Sequence, residues 1–150
     1  MSRATAWTLH LSVVVMAVTG LWLTWIVFLA PPPQESETEM FAVGDPWQPL
    51  LNVIHVVVAP VLIFAIGFIW REHVWRRIGF DNAQRRKSGV VLVLLGGPLV
   101  LGGYCLQVTD NETLRSIFGW THAAAGALFA TCYLVHLILR PPANGVVADG

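Results

Sequence analysis

Four long stretches of the chain contain no Asp, Glu, Lys or Arg: residues 7–29, 47–70, 88–109 and 116–139. A helix rises about 1.5 Å per residue, so about 20 apolar residues cross the roughly 30 Å hydrocarbon core of a bilayer. Each run is long enough. The pattern predicts an all-α integral membrane protein, a four-helix up-and-down bundle in which short polar segments join successive spans.

Those polar segments differ in sign. After Pro31-Pro32-Pro33 the first loop carries Glu35, Glu37, Glu39 and Asp45, and the third holds Asp110 and Glu112 with one Arg115. The second loop instead runs Arg71, Arg76, Arg77, Arg85, Arg86 and Lys87, while Arg3 and Arg140 flank the two chain ends. Eight of the nine basic residues therefore fall on one side, which the positive-inside rule makes cytoplasmic, together with both termini. The expected location is the bacterial inner (cytoplasmic) membrane, crossed several times. Trp7, Trp70 and Trp75 would mark the inner interface and Trp25, Trp47 and Trp120 the outer one, where amphipathic rings settle.

Composition narrows the function. Of 150 residues, 55% are hydrophobic and 12% charged, outside the range of an ordinary soluble domain. Nine basic residues balance nine acidic ones, so nothing points to nucleic acid. Two cysteines, Cys105 and Cys132, are expected at different depths and unpaired, and no Cys-x-x-Cys-His motif attaches a haem covalently. The first apolar run exceeds the 7–15 residues of a signal-peptide core and is expected to be retained. Residues 1–150 read as a single domain with a loose tail from Pro141.

Ionisable side chains within a span are costly and mark functional positions. His10 lies near the inner start of span one, His55 in the outer half of span two, and His122 and His136 towards opposite ends of span four. The last two are 14 residues apart, which falls about 40° short of four full turns and separates them by roughly 21 Å along the axis. They share a side at two depths. Sorted by depth, His55 pairs with His122 near the outer surface and His10 with His136 near the inner one. Two levels with two imidazoles each suit a pair of stacked b haems, each iron held by two ring nitrogens. A tetrahedral zinc site explains the pattern less well, since four ligands would have to converge on one ion. Hydrogen-bonded packing histidines are the plain alternative. His73, between charged neighbours at the inner end of span two, reads as a solvated interface residue, a quinone proton relay or a rival to His10 as inner ligand.

With the histidines at these four positions, the chain resembles the bacterial di-haem cytochrome b superfamily, which includes the gamma subunit of formate dehydrogenase and the small superoxide:ubiquinone oxidoreductase cytochrome. The resemblance covers nearly the whole chain. It includes one histidine from each of helices one and two, two from helix four at 14-residue spacing, the Thr19-Gly20 pair and the small residues of His122-Ala-Ala-Ala-Gly126. The family pattern implies two haem b groups, with His10 and His136 on the inner iron and His55 and His122 on the outer. It also implies a quinone near the inner haem beside the second loop, where His73, Asn82, Gln84 and Arg85 are the candidates; Asn52, Gln48 and Gln107 form a weaker outer set.

Supporting groups follow from chemistry. Ligating imidazoles need an acceptor for their second nitrogen, for which Thr8, Ser12 and Thr121 are candidates, unless they bond their own helix carbonyls. Haem propionates favour Arg partners, Arg115 outside and Arg3 or Arg140 inside. Gly89, Gly96, Gly97, Gly102 and Gly103 allow a haem or a neighbouring helix to approach span three, and Pro60 and Pro98 are expected to kink their helices.

The expected function is electron transfer across the membrane between the quinone pool and a periplasmic redox subunit, a multihaem cytochrome or iron–sulfur protein, which this chain would also anchor. An alternative is a stand-alone oxidoreductase passing electrons from superoxide or another small donor to quinone. A third is a haem-free structural anchor.

Overall fold

The computed structural model describes residues 2–31, 45–70 and 83–138, with side chains from residue 88 onward in the last segment. His73, Trp75, Asn82 and Arg140, and the side chains of Gln84 and Arg85, lie outside the described residues. Four helices make up almost all of the rest: α1 (Arg3–Thr24, extended by Trp25–Leu29), α2 (Gln48–Ile69), α3 (Ala83–Val108) and α4 (Glu112–Ile138). All four contain a segment long and apolar enough to cross a membrane.

Helix ends fall where backbone groups find partners. The Ser2 hydroxyl accepts the Thr5 N–H at 3.0 Å and so starts α1, four residues before the apolar run. Asn111 does the same for α4 by accepting the Leu114 N–H at 3.0 Å, with Glu112 in the first turn, where a negative charge meets the positive end of the helix dipole. Before α2, the Asp45 carboxylate accepts the Trp47 N–H at 2.8 Å, and Pro49 occupies the first turn, where its missing N–H costs nothing. The α3 backbone also takes in residues 83–87, basic residues that an apolar criterion leaves out. α2 continues through Pro60 and α3 through Pro98.

α1 closes with a wider turn. The Ala30 N–H bonds the Trp25 carbonyl, five residues back, at 2.7 Å, the π spacing that marks local departures from regular helix. Ala30 itself is extended at φ −68 and ψ 143, as the residue before a proline must be.

Contacts fix how the helices run. His10 meets Tyr133 while Phe28 meets Trp120, so α1 and α4 point in opposite senses. Gly89 faces His136 and Gly102 faces His122, which makes α3 and α4 opposed as well. At the end where α1 begins, Leu9 and Val13 pack with Ala65 and Ile69 of α2 and Tyr133 of α4. At the other end the Phe28 and Trp120 rings lie 4.6 Å apart at 41°, over the buried Gly119.

The molecule is apolar on the outside. Phe64, Phe68, Leu94, Leu101, Val108 and Ile138 are each at least two-thirds exposed, as are, to a lesser degree, Trp7, Trp25, Trp47, Trp70 and Trp120. Water does not tolerate such a surface over so much of a small protein, whereas lipid does. This is a multi-pass membrane protein.

Gly119 tests the outer-end packing. A methyl group there would stand 2.5 Å from Phe28 Cζ, so Gly119→Ala must push the ring aside at a cost of about 1–3 kcal/mol. The melting temperature in detergent should fall, and fall much less in a Phe28→Ala background.

Candidate functional site

A single cavity of about 1780 Å³ runs between the helices and is bordered by His10, His55, His122 and His136. Its size matters, because an ordinary ligand pocket encloses about 300–1,000 Å³. This one has room for two such ligands in line. Towards the end where α2 and α4 begin, its wall includes Gln48, Asn52, Gln107, Glu112 and Arg115; elsewhere it is mostly aliphatic.

His55 on α2 and His122 on α4 meet across the cavity. Their ring centroids are 6.3 Å apart and their planes stand at 80°. An imidazole–metal bond of about 2.0–2.1 Å, with about 1.1 Å more from nitrogen to ring centre, places two imidazoles on opposite sides of one ion about 6.2–6.4 Å apart. The pair therefore fits a shared metal in spacing.

Each ring is seated by its neighbours. Nδ1 of His55 lies 2.8 Å from the Thr19 hydroxyl, and its Cε1 edge rests on Gly20, where an added methyl carbon would come within 3.0 Å. His122 lies against Gly102 and Gly103, where methyl carbons would stand 3.3 and 3.4 Å from the ring. Its Nδ1 is buried with no hydrogen bond of normal geometry, the Leu99 backbone being the acceptor it interacts with. In a site made only for packing, an orphaned buried nitrogen is a net cost.

At the other level the rings are also held by hydroxyls. His136 Nδ1 is 2.9 Å from the Ser88 hydroxyl, with Gly89 against its Cε1. His10 Nδ1 bonds the Tyr133 hydroxyl across the α1/α4 interface. His10 and His136 both border the cavity, and Tyr133, one turn before His136, brings their two helices together.

The orienting groups are not the expected ones. Thr8, Ser12 and Thr121 each donate to a carbonyl one turn back in their own helix, at 3.0, 2.7 and 2.8 Å. Lipid offers these hydroxyls no other acceptor, so the backbone takes them. Thr19, Ser88 and Tyr133 orient the rings instead. Matching depths along opposed helices would have found Thr19, which lies level with His55. Tyr133 shares a helix face with His136 at three-residue spacing.

Among the remaining candidates, Arg115 is exposed and borders the cavity, while Arg3 is exposed at the start of α1 and does not. The outer polar set of Gln48, Asn52 and Gln107 lies on the cavity wall. Of the α3 glycines, Gly89, Gly102 and Gly103 approach imidazoles, whereas Gly96 and Gly97 border open space. Gly89, Gly96 and Gly103 recur every seven residues, a signal available in the sequence.

Among the described residues, no three or more His, Cys, Asp or Glu side chains gather to hold an ion; the imidazoles come in twos. Compared with family models, curated proteins and solved structures, the chain matches none.

The His10–Tyr133 contact has a measurable consequence. In a double-mutant cycle of Tyr133→Phe and His10→Ala, thermal unfolding in detergent should give a coupling of about 0.5–1.5 kcal/mol, the net value of one intramolecular hydrogen bond. Zero coupling would show that the two groups do not hold each other.

Proposed function

We propose that this chain is a di-haem b-type cytochrome subunit that carries electrons across the bacterial cytoplasmic membrane between the quinone pool and a periplasmic redox partner. The observation that carries the reading is the opposed His55–His122 pair, at metal-bridging distance within a cavity large enough for two macrocycles. In this reading the helices form an up-and-down bundle with both termini cytoplasmic, and the chain belongs with the di-haem cytochromes b that its histidine pattern resembles.

The residues divide the work by depth. His55 and His122 would hold the outer haem iron, and His10 and His136 the inner one. When bound, the haems supply one-electron carriage between ferric and ferrous iron. Two imidazoles per iron fill both axial positions and leave none for oxygen. Thr19, Tyr133 and Ser88 hold three of the four rings in place, and the aliphatic walls keep water out. Arg115, at the outer mouth, offers a cation to propionate carboxylates; Arg3 and Arg140 would serve the inner side. His73, Asn82 and Arg85 are the proposed contacts for quinone, in the basic second loop. The described outer surface carries no catalytic cluster, so chemistry on a soluble substrate falls to the partner, a multihaem cytochrome or iron–sulfur subunit that this chain anchors.

The test is a reduced-minus-oxidised spectrum with haem quantified per chain. About two b haems per chain are expected from two bis-His sites. His122→Ala should lose the outer haem and keep most of the inner, and His10→Ala the reverse. A colourless wild-type protein would leave the histidines as packing residues only.

A further inference from the structure

Thr19 is buried on α1, one residue before the glycine on which the His55 ring rests. Its hydroxyl has three neighbours: the Val15 carbonyl at 2.7 Å, the Met16 carbonyl at 3.4 Å and His55 Nδ1 at 2.8 Å. A hydroxyl has one proton to give and lone pairs to accept with. At 2.7 Å the contact with Val15 has the length of an O–H···O hydrogen bond, and a carbonyl can only accept. Turning the proton towards His55 instead would leave two oxygens in contact at that distance with no hydrogen between them. The proton therefore points at the backbone.

One consequence follows for the imidazole. Towards His55 the Thr19 oxygen can only accept, so the hydrogen of that contact sits on Nδ1 and the ring lone pair sits on Nε2. We infer that Thr19 is a positioning residue that fixes His55 as its Nδ1–H tautomer and so presents Nε2 to the metal. The inference rests on the haem reading for the word metal, but the tautomer itself does not.

The arrangement also sets the strength of the ligand. An imidazole whose Nδ1–H donates to an acceptor is a better electron donor through its other nitrogen, which favours ferric over ferrous iron. At the same time Gly20 lets the ring lie close enough to α1 to reach the hydroxyl. A side chain at position 20 would lengthen the contact, since even a methyl carbon comes within 3.0 Å of Cε1.

Two measurements on the full-length chain test this. First, nitrogen NMR of histidine-labelled, haem-free wild-type protein should show His55 as the Nδ1–H form, and Thr19→Val should mix the two tautomers. A wild-type Nε2–H form would overturn the inference whatever the protein binds. Second, with haem loaded, Thr19→Val should weaken retention of one haem about 10–100-fold, the usual loss for removing such a partner, and raise the potential of that redox wave. The other wave should stay in place. Thr19→Ser, which restores the hydroxyl, should recover both. If the wild-type chain takes up no haem, the functional reading falls while the NMR result still decides the tautomer. Two bound haems with neither wave nor retention altered by Thr19→Val would sink the positioning role alone.

Discussion

The rest of the structure depends on where imidazoles and hydroxyls find hydrogen bonds when no water is available. In hydrocarbon each unmade bond costs several kcal/mol, so polar groups inside a span are satisfied within the protein or not tolerated. The bundle answers this in two ways. Thr8, Ser12 and Thr121 turn back on their own helix, which demands nothing of neighbouring helices. Thr19, Ser88 and Tyr133 reach a histidine on another helix, and each such bond fixes a register between two rods that apolar packing alone leaves free to slide.

That distinction explains the shape of the cavity. α1 packs along α2 and α3 along α4, with α1 and α4 also in contact, but the space among all four is not filled by side chains. Glycines at 20, 89, 102 and 103 let imidazoles lie close to backbones, holding each ring at the wall of the cavity. An apolar void of this size loses packing on every lining side chain, and a sequence selected only for stability would close it with larger residues at Gly96 or Gly97, where a side chain meets nothing within 4 Å. The open space is what the proposed cofactors require.

The four spans were legible because each is an uninterrupted apolar run, and lipid demands little else of a helix exterior. Their ends were less so. Capping by Ser2 and Asn111 depends on single polar residues outside those runs, and these carry α1 and α4 four residues further than hydropathy indicates. The four cavity-lining histidines were also legible, since an imidazole in a span has few innocent roles. Their hydroxyl partners were not. Choosing Thr19 over Ser12 or Thr8 requires knowing which residue of α1 lies level with His55, and that is a property of how two helices pair. Near neighbours in sequence were poor guides, because a serine or threonine close to a histidine in the same helix has a carbonyl nearer still.

The 40° shortfall between His122 and His136 finds its explanation in the same packing. Along α4 the cavity is bordered by His122, Gly126, Phe129, Tyr133 and His136, steps of four, three, four and three, the spacing of a coiled-coil seam. On α3 the opposing positions include Gly89, Gly96 and Gly103, again at seven-residue intervals. A straight helix drifts about 20° per heptad against such a seam, so two heptads account for about 40°. Antiparallel helices that wind around each other with a left-handed twist remove the drift. Then Gly89 meets His136 and Gly103 meets His122, the 14-residue interval on one helix answering the same interval on the other. Two imidazoles at two depths can thus face one cavity only if the helices supercoil, and the heptad glycines are what let α3 lie close enough to α4 to follow that path.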